Sequence, residues 1–249
     1  MKKTCKLQEN AYFCKSIHYC HNMKIGIIIA MDKEFVQLRT MLSHATTSTV
    51  GGKEFTVGEV GNKEIIMQKC GIGKVNAAVG TVEMINAFHP DIVISTGCAG
   101  GAGDDMEVGD VVVGNEYVYH DVYCGSEVSY GQFVGLPASF SADEQLLKKA
   151  TTLDCSTRIH AGLMVCGDWF VDSREKMREI LGHFPNAKAV DMESCAIAQT
   201  CHLYGVPFIS FRIVSDVPLS DHKASQYFDF WNRLAEGSFN VTKTFIESL

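Results

Sequence analysis

Apolar and polar positions change period repeatedly along this chain, and each change marks an element. KIGIIIA, from Lys24, is an unbroken apolar run of the kind that forms a strand buried on both faces. Asp32 follows as a predicted N-cap, with Phe35, Leu38 and Leu42 on one face of a helix and Glu34 in its first turn. Strands are expected over residues 54–60 and 64–70, joined by Gly61-Asn62 as a hairpin turn. CGIGKVNAAVG predicts a glycine turn feeding a small-residue helix whose glycines allow close packing on the sheet. DIVISTGCAGG reads as a strand and then a glycine-rich turn containing Cys98. Two more strands are predicted over residues 110–114 and 115–122, the second ending in His120-Asp121. YGQFVGLPASF is loop, and the stretch from Ser141 to Glu144, SADE, has the form of a capping box opening a helix. RIHAGLMVCGDWFVDS predicts a strand and an aromatic loop, and SREKMREILGHF an amphipathic helix. In AVDMESCAIAQTCHLYGVPFISFRIVSD, Asp191, Met192 and Glu193 open a helix that Gly205 and Pro207 end. PFISFRIV is then a second buried strand, with Asp216 just past it, and SQYFDFWNRLAEGSFNVTKTFIESL predicts one long C-terminal helix.

Alternating strands and helices, with extra β segments in the middle, imply an α/β fold of three layers, α/β/α, around a mixed central sheet. Residues 1–22 show no such period and lack the apolar core of a signal peptide. They read as a leader outside the fold, with Met23 as an alternative start and residues 23–249 as one domain. Cys5, Cys14, Cys20, His18 and His21 in the leader do not have the spacing of a zinc site, so no metal is expected. The net charge of −7 and the lack of a basic cluster argue against a nucleic-acid binder. No apolar run approaches the roughly 18 residues that would span a bilayer, so no membrane partner is expected. Ten scattered cysteines, without CxxC pairs, fit buried thiols in a reducing, cytoplasmic setting.

Three acids stand where strands end: Glu34, Glu193 and Asp216. Singly, each has a plain structural explanation, the first two as acids favouring a helix dipole and the third as a loop or capping residue. Together they lie where open α/β sheets bind ligands. The backbone at 97–101 and the aromatic loop at Trp169 and Phe170 complete a plausible pocket for a planar heterocycle attached to a sugar. GIGK is not a phosphate loop, because GxxxxGK[ST] is absent, and no cofactor signature is present. Cys98 has no obvious activating base in the sequence, and His120-Asp121 reads as a structural hydrogen bond.

KIGIIIAMDKE, GIGKVNAA, STGCAGG, VGDVVV, YHD, GDWFV, AVDMES and RIVSD occur in the order and spacing of the nucleoside phosphorylase/hydrolase superfamily. Within it, the chain resembles bacterial 5′-methylthioadenosine/S-adenosylhomocysteine nucleosidases over residues 23–249. The resemblance implies that Glu34 activates the attacking water and that Asp216 delivers a proton to purine N7. It implies that Met192 and Glu193 hold the ribose, Phe170 and Val171 the adenine, and Phe228 the ribose and thioether side. Cys98 and Ser215, beside these groups, are further candidate substrate contacts, although the family commonly has serine at the position of Cys98. The implied partners are a small nucleoside and water, with no cofactor, and a second copy of the chain whose loop at residues 123–137 closes the neighbouring pocket. Three classes stay open at this point: a hydrolase of 5′-thio-adenine nucleosides, a phosphate-dependent phosphorylase, and a non-catalytic nucleoside-binding protein. No arginine stands in IAMDKE or ISTGCAGG, where superfamily phosphorylases hold phosphate, which favours the hydrolase.

Overall fold

The structure is a computed structural model that describes residues 22–103, 105–220, 226, 230 and 239–249. The leader (apart from Asn22), Phe228 and Trp231 therefore lie outside the described residues, as does about half of the predicted C-terminal helix, whose last part is a separate helix beginning at the Phe239 N-cap rather than the end of one long one.

Among the described residues, ten strands form one mixed sheet. Its centre is β5 (Ile92–Gly101), flanked on one edge by β1 (Lys24–Ile29) and on the other by β10 (Phe208–Asp216). Beyond β1 the sheet continues through β4 (Lys63–Lys69), β3 (Lys53–Val60) and β2 (Ser43–Val50). Beyond β10 it runs through β6 (Val111–Tyr119), with short β7 (Phe140–Ser141) on its edge, to β8 (Ile159–Cys166) and β9 (Ala187–Asp191). The end of β9 then returns to β5, pairing Gly100 with Val190 and Gly101 with Ala189. Five strands thus close on themselves, and β5 is a fork. One edge of β5 pairs with β1 only as far as Ser95 and with β9 only from Gly100.

Alternation along the strands feeds cores on both faces of the sheet. Ile25, Ile27 and Ile29 of β1 pack on one face with Leu38 of α1 (Asp32–Arg39), Leu146 of α3 (Glu144–Thr151) and Phe245 of α6 (Asn240–Ser248). Ile28 and Val93 point the other way, toward Met84 of α2 (Lys74–Phe88) and Ile197 of α5 (Ser194–Tyr204). Met177 and Ile180 of α4 (Arg174–His183) cover the far strands. Helix, sheet and helix make the three layers expected. Gly80 of α2 confirms the close helix-to-sheet approach, since a Cβ there would lie 2.5 Å from Gln68 Oε1 and 2.9 Å from Cys70 Cβ.

Several boundaries differ from the sequence reading. The glycine-rich segment is the second half of β5, not a turn. The two strands expected over residues 110–122 are one, β6, with a register shift between Gly114 and Glu116. Met31, not Asp32, is the N-cap of α1, because the Asp32 side chain pairs with Lys69 at 2.5 Å instead. The helix after SADE is capped by Asp143, whose Oδ1 accepts from the N–H groups of Gln145 and Leu146, while Ser141 belongs to β7. Glu193 is the N-cap residue of α5, and Asp191 closes β9. Asp216 is the last residue of β10, which is buried throughout but parallel only to β5 and antiparallel to β6.

Candidate active site

A cavity opens at the fork, at the carboxyl ends of β1, β5 and β10. Its lining includes Glu34, Cys98, Phe170, Val171, Met192, Glu193, Ser215 and Asp216, brought from five separate stretches of the chain. Phe228 is outside the described residues.

Glu34 occupies the gap in the sheet. Its Oε1 accepts the Cys98 N–H at 2.8 Å, a group on the β5 edge that neither β1 nor β9 pairs, and its Oε2 accepts the Met31 N–H at 3.1 Å. The second bond ties the carboxylate to the start of its own helix, a capping role that the dipole favours. Burial pushes its carboxyl above the ordinary range, while Arg212 and the two backbone donors pull it down.

Glu193 lines the same cavity. Its Oε1 accepts the Gly73 N–H at 3.0 Å, and its Oε2 lies 3.7 Å from an Arg212 nitrogen. Burial raises its carboxyl, with Arg212 opposing and Asp191 reinforcing. Arg212 itself is fully buried in β10, bonded through Nε to Asp191 at 2.5 Å and through Nη2 to Ser95 at 3.0 Å. Asp191 also accepts the Ser194 hydroxyl at 2.8 Å, fixing the start of α5. Gly97 is required by this cluster, because a Cβ there would fall 2.6 Å from Arg212 Nη1 and 2.9 Å from Glu34 Oε1. Arg212 thus forms a buried structural ion pair with Asp191.

Asp216 sits beside a register shift in β10 opposite Gly100. The Ser215 hydroxyl lies 2.8 Å from Asp216 Oδ1 and 3.3 Å from the Ala99 carbonyl. Cys98 is half-buried at the cavity, its thiol pushed well up by burial and by Glu34. It is a neutral thiol, not a thiolate nucleophile. Among the described residues, the cavity lining contains no arginine or lysine.

The upper wall is apolar. Val171 is buried, while Trp169 and Phe170 are 53% and 57% exposed and form the rim. Ile72, from the glycine turn before α2, lines the opposite side. Sequence reasoning missed Ile72, the Gly73 N–H and the depth of Arg212. Only the glycines of CGIGK signalled a special loop there, and the structure places Gly71 and Gly73 at φ 95° and 97°. The expected His120-Asp121 hydrogen bond does not form: Asp121 bonds Lys74 and the Asp168 N–H, and neither ring nitrogen of buried His120 has a partner among the described residues. Burial lowers the His120 pKa accordingly.

The sequence pattern of the Phosphorylase superfamily matches residues 24–247. A 5′-methylthioadenosine/S-adenosylhomocysteine nucleosidase of Exiguobacterium sp. is 42% identical over 225 residues, covering 89% of this chain and 95% of the relative. One from Lysinibacillus sphaericus is 39% identical over 233 residues, covering 91% of this chain and all of the relative. Among solved structures, the nucleosidase of that name from Neisseria meningitidis, in complex with methylthio-immucillin-A, superimposes with a TM-score of 0.85 at 38% identity. That likeness covers 91% of this chain and 99% of the other. The chain therefore belongs to the phosphorylase superfamily, in its 5′-methylthioadenosine/S-adenosylhomocysteine nucleosidase branch.

Proposed function

We propose that the chain hydrolyses the N-glycosidic bond of 5′-thio-substituted adenine nucleosides, releasing adenine and the 5′-thioribose. The single observation that carries this reading is the convergence of three buried acids on one cavity with an aromatic rim. Bond cleavage leaves an oxocarbenium-like sugar and an electron-rich purine, so catalysis needs negative charge near the sugar and a proton at the base. Glu193 serves the first task. Its carboxylate engages the ribose hydroxyls beside Met192 and stabilises positive charge developing on the ring. Phe170 and Val171 hold the adenine.

Asp216 serves the leaving group as general acid, an effect typically worth about 10²–10⁴-fold. Ser215 suits either protonation state of this acid. Its single hydroxyl proton can go to Asp216 Oδ1 when the carboxyl is ionised, or to the Ala99 carbonyl when the carboxyl is protonated and donates to Ser215. Asp216→Asn keeps the shape and loses the transferable proton. Turnover should fall at least about 10²-fold while adenine binding survives, and a variant with most of its activity would remove Asp216 from this role.

Glu34 orients and deprotonates the attacking water. Burial makes it a stronger base than a free carboxylate, which suits a group working near neutral pH. The native state consequently holds the Glu34 proton more tightly than the unfolded chain does. The associated stability is complete below the unfolded pKa and is lost as pH rises through the folded one. Glu34→Gln cannot ionise, so its melting temperature should gain on that of the wild type as pH is raised from about 4 to about 8, even as turnover is lost. A difference that stays flat across that range would contradict the assigned direction.

A homodimer follows from the family resemblance. It is supported by exposed Val75 and Val79 on α2 and by Tyr123 and Val134 in the loop at residues 123–137, large apolar side chains that a second subunit would cover. Light scattering at micromolar concentration should give twice the chain mass, and an active monomer would exclude it. The choice of hydrolysis over phosphorolysis rests on charge: a carboxylate, Glu34, stands where a phosphate would need cations, and Arg212 is committed beneath the floor. Adenine release from methylthioadenosine should proceed at the same rate with and without phosphate. Phosphate-dependent release with a sugar 1-phosphate product would place the chain with the phosphorylases instead.

A further inference from the structure

Lys74 is the first residue of α2, the end of a helix where a cation is unfavourable. No acid lies in that first turn, and its N-cap, Gly73, has no side chain. The missing cap comes from far along the chain: Asp168 Oδ1 accepts the Lys74 N–H at 2.7 Å. Gly73 makes room for it, since a Cβ there would sit 3.0 Å from the same oxygen and on a backbone with φ 97°. The Lys74 ammonium turns away from the helix to Asp121 Oδ2 at 2.7 Å, with Asp168 Oδ2 at 3.9 Å and the Tyr119 ring centre at 5.4 Å. Asp121 Oδ2 also accepts the Asp168 N–H at 2.8 Å. The residue after Asp168 is Trp169 at the rim, followed by Phe170 and Val171. On the other side of the turn, the Gly73 N–H holds Glu193.

We propose that Lys74 is a positioning residue: with Asp121 and Asp168 it clamps the purine-binding loop to the turn that also orients the sugar-binding Glu193. This deepens the nucleosidase reading and rests on it for the identity of the base. The ammonium touches no substrate. It neutralises Asp121 and Asp168, two carboxylates on separate segments that would otherwise repel one another. The loop meets adenine equally in the ground state and the transition state, so loosening it removes uniform binding and raises KM more than it lowers kcat.

The test compares wild type, Lys74→Met, Lys74→Arg and the milder Asp168→Asn. Amide hydrogen exchange over residues 167–172 in the unliganded protein reads the clamp directly. Adenine titration and steady-state kinetics with methylthioadenosine read its consequence. In Lys74→Met, exchange at the loop should rise, and the adenine Kd and KM should increase about five- to tenfold with kcat within about twofold. The melting temperature should move by no more than about 2–4 °C. Lys74→Arg should recover most of the affinity, and Asp168→Asn should fall between. Salt should weaken adenine binding by the wild type but not by Lys74→Met. Unchanged exchange and affinity in Lys74→Met would overturn the proposal. So would equal losses in kcat and KM that arginine fails to rescue, since those belong to a general folding defect. A wild type that binds no adenine, with loop exchange still raised in Lys74→Met, would refute the nucleosidase reading and leave the clamp standing.

Discussion

Arg212 carries a positive charge that the sheet has removed from water, and the site is built around making that tolerable. A buried cation is stable only with well-placed anions and hydrogen bonds. Asp191 and Ser95 bond it directly, Glu193 lies at 3.7 Å, and Glu34 is close enough to feel its field. Three carboxylates around one guanidinium leave excess negative charge if all are ionised. Burial accordingly pushes Glu34 and Glu193 upward, and Arg212 limits the rise. The same imbalance is useful at the cavity surface. A substrate that develops positive charge there supplies what the floor lacks, so the electrostatics favour the transition state over the neutral nucleoside.

That cluster needs a place where side chains can replace strand pairing, and the fork in β5 supplies one. A continuous sheet would satisfy every N–H along that edge and leave nothing for a ligand site to use. Here β1 leaves β5 at Ser95 and β9 joins at Gly100, so the intervening edge is open. Glu34 accepts the Cys98 N–H in that gap, and Gly97 lets both Glu34 and Arg212 lie against the strand. The helix that carries Glu34 begins three residues after β1 ends, so the strand that departs also delivers the acid that closes the gap. Fold and site are coupled at this point: the topology that bends five strands into a closed set also opens the pocket.

Strong local patterns were legible in the sequence and weak ones were not. β1 and β10 announced themselves as apolar runs, and α4 by its helical period. β2 is an exposed edge strand, SHATTSTV, with no buried face to impose alternation, so nothing in it signalled a strand. β9 is five residues long and was absorbed into the helix that follows. The glycines of β5 looked like a turn because their role, leaving space for Arg212, Glu34, Pro218 and Val214, is set by residues remote in sequence. The same distance effect explains the site. Glu34, Glu193 and Asp216 stood out because acids at strand ends are locally visible. The partnership of Arg212 with Asp191, the Gly73 N–H and Ile72 became visible only when the chain closed.

Cys98 tests how far a site can change without losing its geometry. The family commonly places serine there, a better hydrogen-bond partner than a thiol. With Glu34 as its neighbour and burial around it, the Cys98 thiol stays protonated and offers no competing nucleophile. The critical acceptor, Glu34, takes a hydrogen bond from the Cys98 thiol, but its position does not rest on that bond alone. Two main-chain donors hold it, the N–H of Cys98 and the N–H of Met31, and both are indifferent to what residue 98 carries. Ser215, rather than residue 98, is the hydroxyl that meets Asp216 at 2.8 Å. Backbone amides hold Glu34 and Ser215 holds Asp216, with the Cys98 thiol adding one weaker bond to Glu34, which is the physical reason a thiol is accommodated between them.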